Sequence, residues 1–231
     1  MRWRNSAYFY SCSNHLTTRF IPHQFHTLTL KALQEEWWLR GTLTTGELLN
    51  YTNVDRETGV STRVVRNYFQ ILEDTLLGFR LSPWRKVKNR RLIETEKFYL
   101  FDIGLSNYLA RRKPEIGTPE FGKSFEQFIL MELKAYQAYR NPELDIHYWR
   151  TSSGFEVNYI LGEMETAIEV KASLKVHRGH TKGLRALSEE YTLRRTVIVS
   201  LEKEPRIIQP HIEVLPWQSF IEELWSGGFE G

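Results

Sequence analysis

Glu169 and Lys171 lie two residues apart in the run Ala167-Ile-Glu-Val-Lys171. In a β-strand, residues i and i+2 project to the same face. The carboxylate and the ammonium therefore stand side by side while Val170 turns the other way, into a core. This pairing at a strand end suits metal-dependent hydrolysis. The carboxylate holds a hard cation such as Mg²⁺ or Mn²⁺, and the lysine steadies an attacking water or a developing negative charge. A triplet of this kind also occurs on solvated strand edges and in ordinary salt bridges, so its meaning depends on the elements that position it.

Those elements are legible on both sides. Glu156–Leu161 reads as a strand, Gly162-Glu163 as a turn and Ala167–Lys171 as the next strand. Upstream, Asp145–Arg150 reads as a first strand and Thr151–Gly154 as its hairpin turn. Before them, Glu120–Tyr139 has the apolar stripe of a long helix, carried by Phe121, Phe125, Phe128, Ile129, Leu133 and Tyr136. Glu126 lies at the edge of that stripe and Glu132 nearer its centre, so one of these acids is expected to be held by a partner. Downstream, Thr181–Tyr191 reads as a helix, Arg195–Ser200 as a buried strand, Ile212–Leu215 as a further strand and Trp217–Trp225 as a last helix. The loop His177-Arg178-Gly179-His180 follows the Glu169 strand. It reads either as a polar loop or as a phosphate contact.

The first half has a different character. Short helices are expected at Gly46–Tyr51, Val54–Thr58 and Thr62–Leu72, with the turn Thr58-Gly59-Val60-Ser61 before the third. On that third helix Val64, Val65, Tyr68, Ile71 and Leu72 make the apolar face, and Arg63, Arg66 and Asn67 lie outside it. Strands are expected at Gly78–Trp84 and Lys97–Asp102. The loop between them holds Arg85, Lys86, Lys88, Arg90 and Arg91. This is the pattern of a winged helix-turn-helix, in which a cationic helix and a cationic hairpin meet duplex DNA. Winged helices also serve as protein-interaction modules, and that alternative stays open.

Three domains follow from this reading: an N-terminal tail and helix (1–41), a winged-helix domain (42–113) and an α/β domain (118–231), with a proline-containing linker near residues 113–119. The tail includes an expected helix at Thr27–Arg40 and scattered surface histidines His15, His23 and His26.

The chain has 231 residues, with 31 Lys+Arg against 28 Asp+Glu. A surplus of three positive charges is too small to argue for nucleic acid by itself. The single cysteine excludes an intrachain disulfide and a cysteine-based zinc site. With no apolar run near about 18 residues, no membrane association is expected, and the cytoplasm is the expected location. No G-x-x-x-x-G-K-[ST] loop occurs, so no ATPase activity is expected.

The element order helix, three strands, helix, strand, with acids on the first helix and on the second and third strands, resembles the PD-(D/E)xK restriction-endonuclease-like fold: a mixed central sheet flanked by helices, α/β in class and α+β over the whole chain. The likeness extends to GVSTRVVRNYFQILEDTLLGFRLSPW, KFYLFDIGLSNYLA, FGKSFEQFILMELKAY, YWRTSSGFEVNYIL, AIEVKAS and KGLRAL. These segments resemble the C-terminal half of a prokaryotic family of AAA-type ATPases, in which a P-loop domain precedes a winged helix and a nuclease-like DUF4143 domain. That resemblance implies double-stranded DNA and a separate ATPase module as partners. It also implies Mg²⁺ or Mn²⁺ held by Glu126, position 158 and Glu169, with Glu169 and Lys171 as the catalytic pair. Position 158 departs from the family pattern E-V-D, because this chain reads Glu156-Val157-Asn158. An amide supplies an oxygen but one unit less negative charge, so cation binding is expected to be weak or absent. Three readings stay open: a metal-dependent endonuclease, a degenerate nuclease fold that associates with DNA, and a non-catalytic interaction module of an ATPase system.

Overall fold

Helices and strands follow one another largely where the sequence periodicity puts them, in a computed structural model that describes residues 45–58, 61–86, 90–209 and 211–229. The expected helix Thr27–Arg40, the three N-terminal histidines, the glycine turn at 59–60 and Lys88 lie outside the described residues. The chain divides into two units. It crosses between them at 79/80, at 97/98 and at 113/114, so the segment 80–97 belongs with the C-terminal unit.

Helix α1 (Tyr51–Thr58) and helix α2 (Thr62–Asp74) precede strands β1 (Gly78–Leu81) and β2 (Lys97–Leu100), and helix α3 (Ile103–Leu109) follows; these make the first unit, except that Arg80, Leu81 and Lys97 count with the second. The two strands pair with each other. The core gathers Leu49, Val65, Phe69, Leu72, Phe98 and Leu100. Phe69 stacks edge-on against both Tyr51 and Phe98. Two details differ from expectation. Residues 46–50 form no helix: Gly46 adopts φ +80°, its N–H donates to the Phe98 carbonyl, and Thr45 bridges to Phe98 as a strand neighbour. A β-carbon at Gly46 would be strained by that φ and crowded by the Tyr99 ring. On α2, Phe69 is buried and Val64 is 39% exposed, the reverse of the expected pattern. The inward stripe is therefore 65, 69, 72, one residue out of phase with Val64.

The second unit is a mixed sheet flanked by helices. Its elements are α4 (Pro119–Tyr139), β3 (Ile146–Arg150), β4 (Glu156–Leu161), β5 (Thr166–Lys171), a 3₁₀ turn (Arg178–Thr181), α5 (Lys182–Ser188), β6 (Arg195–Ser200), β7 (Arg206–Gln209), β8 (Ile212–Pro216) and α6 (Trp217–Trp225). The strand order is β3-β4-β5-β6-β8-β7. β3, β4 and β5 form an antiparallel meander, β6 and β8 run parallel to β5, and β7 returns antiparallel at the edge. A parallel neighbour cannot be reached by a tight turn, which is why α5 crosses between β5 and β6.

Thr118 caps α4 by accepting from the Phe121 N–H, Pro119 opens it, and Asn141-Pro142 stops its continuation. Ile129, Leu130 and Leu133 of α4 are fully buried, each contributing about 2 kcal/mol of hydrophobic stabilisation. Leu184, Ala186 and Leu187 of α5 share one buried cluster with Trp149, Val157, Ile160, Ala167, Ile198 and Val214. β7 was not expected. Its four residues are exposed or half-buried, so no alternating apolar pattern marks them in the sequence. Before β2, residues 82–84 and 91–93 pair with β3 and the turn after it: Trp84 N–H donates to the Tyr148 carbonyl and Ile93 N–H to the Arg150 carbonyl. Among the described residues, no helix is long and apolar enough to cross a membrane.

Candidate functional site

Strand geometry places Glu169 and Lys171 side by side, as expected, and they form an ion pair of 2.5 Å. Glu169 is only 6% exposed, and its second carboxylate oxygen is buried without a hydrogen-bond partner. Burial pushes its carboxyl up to about 7, with Lys171 pulling it down only part of the way. Burial lowers the Lys171 ammonium, but Glu169 outweighs that and leaves it above the ordinary lysine value.

Asn158 enters through an irregularity in β4. Between the pairs His147↔Ile160 and Trp149↔Val157, β4 carries one residue more than β3. Such a bulge interrupts the ladder and re-aims a side chain. Asn158 is buried, and its side-chain oxygen accepts the Val170 N–H at 2.8 Å. That oxygen replaces a backbone acceptor. Asn158→Ala is therefore expected to lower stability by about 2 kcal/mol, because a buried N–H loses its partner. The midpoint of urea unfolding measures this directly.

Glu126, on α4, reaches the same region, and so does a residue the sequence reading did not single out. Lys97, 3% exposed at the start of β2, places its Nζ 2.6 Å from Glu156 and 3.4 Å from Glu126. Glu156 also pairs with Arg150 at 3.0 Å. Burial would pull the Lys97 ammonium down, but the carboxylates of Glu126 and Glu156 together hold it above the usual lysine range, so it stays charged. Its Nζ lies 5.3 Å from the centroid of the Tyr148 ring. The Tyr148 hydroxyl donates to the Thr95 carbonyl, and burial pushes that phenol up to about 12. Lys97 carried no local signal, since it is separated from Glu126 by 29 residues and from Glu156 by 59. Glu132, the second acid of α4, accepts from the Trp225 indole N–H at 3.2 Å.

A divalent cation needs several free oxygen donors carrying negative charge. Here Glu126 and Glu156 face an ammonium, one Glu169 oxygen faces another, and the Asn158 oxygen is spent on a backbone N–H. With Glu169 ionised, the carboxylates Glu126, Glu156 and Glu169 are matched by Lys97, Arg150 and Lys171. One Glu169 oxygen is buried without a hydrogen-bond partner, and the acids around it already carry cations. The residues present do not fit the metal that the fold resemblance implies.

The other expected site residues fall in two places. Arg63, Arg66 and Asn67 are exposed on α2 of the first unit, with the Arg66 guanidinium 5.0 Å from the centroid of the Tyr51 ring. Arg85 and Arg91 are exposed on the 80–97 segment of the second unit. In that segment Lys86 pairs with Glu163, and Arg90 pairs with Glu189 at 2.5 Å and Glu190 at 2.8 Å. Those two cations are held by acids of their own unit. In the 3₁₀ turn the His177 Nδ1 accepts from the Gly179 N–H, and the His180 ring stands 3.7 Å from that of His177. Burial first, then the charges of His177 and Lys171, hold His180 below the ordinary histidine value. An open cleft lined by Arg178, Arg185, Glu189, Glu190 and Arg194 lies elsewhere on the unit and includes none of the Glu126, Asn158, Glu169 set.

Residues 24–116 match a family model described as a domain of unknown function, DUF8612, and residues 121–220 match another, DUF4143. An uncharacterized protein of Mycobacterium tuberculosis and one of Mycobacterium bovis are each 30% identical over 116 residues. Each alignment covers 49% of this chain and 25% of the relative, so the chain spans about a quarter of the length of the curated relatives it matches. No solved structure matches the chain. Glu126, Asn158, Glu169 and Lys171 fall within the second family match, to DUF4143 at residues 121–220, and Lys97 within the first.

Proposed function

We propose that this chain is a DNA-associated protein whose PD-(D/E)xK-like domain binds without cutting. The observation that carries the second half of this reading is Asn158. At the place the fold resemblance assigns to a metal ligand, its oxygen is buried and accepts the Val170 N–H. The surrounding acids face Lys97, Arg150 and Lys171 rather than an open cation position. The DNA half rests on the first unit. Its order of bridge, helix, helix and paired strands supports a winged helix, and Arg63, Arg66 and Asn67 are exposed on α2. The likeness to AAA-type ATPases suggests a separate ATPase module as a second partner.

Two measurements on the full chain test this. Fluorescence anisotropy with a labelled duplex is expected to show binding that weakens steeply between low and moderate salt. Replacing Arg63 and Arg66 together by Gln is expected to reduce the slope of log K against log salt by about 2, one per lost phosphate contact. Incubation of duplex DNA with Mg²⁺ or Mn²⁺ is expected to leave it intact. Cleavage that Lys171→Ala abolishes makes the chain an enzyme and overturns the non-cutting reading. No binding at low salt removes the DNA reading and leaves an interaction module of an ATPase system.

A further inference from the structure

We propose that Lys97 is the permanent cation of this site: its ammonium holds the carboxylates of Glu126 and Glu156 together where a metal ion would otherwise be required. The proposal rests on the non-cutting reading and says what replaced the metal.

Glu126 comes from α4 and Glu156 from β4. Two carboxylates brought this near one another repel unless a cation lies between them. Lys97 supplies that cation with 3% exposure, at 2.6 and 3.4 Å from the two acids. These are hydrogen-bond distances, well beyond the roughly 2.1 Å of a Mg²⁺–oxygen bond. An ammonium needs acceptors but no octahedral shell, so it tolerates a site where Asn158 is already used by Val170. Arg150 on the outer oxygen of Glu156 completes the neutralisation. The ammonium is covalently part of the chain, and residues 91–93, shortly before Lys97, pair with Arg150, Thr151 and Ser152 at the end of β3. Its effective concentration at the acids therefore does not depend on the supply of metal.

The test compares the wild-type chain, Lys97→Met and Lys97→Arg by thermal unfolding with and without millimolar Mn²⁺, together with Mn²⁺ binding by electron paramagnetic resonance. The wild type is expected to bind no Mn²⁺ and to show no shift. Lys97→Met is expected to unfold about 10 °C lower, because two half-buried acids lose the buried cation between them. It is also expected to bind Mn²⁺ and to recover several degrees on its addition, since a ligand that binds only the folded state raises its stability. Lys97→Arg is expected to stay near wild type without metal. A Lys97→Met chain as stable as wild type, or one that neither binds nor responds to Mn²⁺, overturns the proposal. If Lys97→Met does not fold, the triple variant Lys97→Met, Glu126→Gln, Glu156→Gln decides. Its folding supports a charge-balancing role, and its failure to fold overturns one. Mn²⁺ binding by the wild type overturns this proposal, whereas DNA cleavage by the wild type overturns the reading beneath it, so the two failures are distinguishable.

Discussion

Gly183→Ala is expected to destabilise the second unit by about 3 kcal/mol, at the upper end of the usual cost of overpacking. Gly183 lies in α5 where the helix meets β4. A β-carbon there would sit 1.9 Å from the Glu156 carbonyl oxygen and 3.0 Å from its carbon. Backbone cannot swing aside as a flexible side chain does, so either α5 lifts from the sheet or β4 shifts. Both responses open the packing of Leu184 and Leu187 on Val157 and Ile160. A shift of β4 also moves Glu156, which holds Lys97 and Arg150. Helix propensity alone favours Ala over Gly by about 1 kcal/mol, so a stabilised or neutral variant would show that the helix can move freely and would refute the packing argument. Urea unfolding followed by tryptophan fluorescence reads the effect, because Trp149 belongs to the same cluster.

The second large effect is a pH dependence centred on Glu169. Its carboxyl is raised from 4.5 to about 7, chiefly by burial, with Lys171 opposing and with Glu126 and Glu156 adding to the rise. The folded state therefore binds a proton that the unfolded state releases. The stability from that bound proton is complete below about pH 4.5 and is lost as the pH rises through 7. The gap between the two values corresponds to about 3 kcal/mol. His180, held below its ordinary value, works in the opposite sense, losing stability as the pH falls. The comparison with Glu169→Gln separates the two, since the amide keeps the shape but cannot ionise. Relative to that variant, the wild type is expected to be less stable at pH 8 by up to about 3 kcal/mol and to converge with it near pH 5. Parallel stability–pH curves for the two chains would remove Glu169 as the titrating group.

Much of this architecture could be read from local pattern. The helix Pro119–Tyr139 follows from one apolar stripe, a Thr-Pro start and an Asn-Pro stop, and strands β3 to β6 follow from short apolar runs between turns. Edge strand β7 left no trace, because a strand that buries little needs no apolar alternation. Val64 was misassigned and Phe69 missed because α2 is short, so a one-residue error in phase exchanges its inward and outward sides.

The site divides the same way. The spacing of Glu169 and Lys171 within one strand was enough to make them neighbours, since strand geometry is local. The distinct character of Asn158 was also visible in the sequence. Only the tertiary structure decided what these groups face. The β4 bulge turned the Asn158 oxygen toward the Val170 N–H, burial raised the Glu169 carboxyl, and the pairing of residues 82–84 and 91–93 beside β3 accompanied Lys97 into the acids. Lys86 and Arg90, read as a free cationic tip, found Glu163, Glu189 and Glu190 instead. Ion pairs of this kind join residues tens of positions apart, and no local period or propensity records them. The sequence by itself determined which elements form and which acids share a strand. The charge balance of the site, on which metal binding turns, was settled by packing, because Coulomb energy depends on distance in space and on burial rather than on separation along the chain.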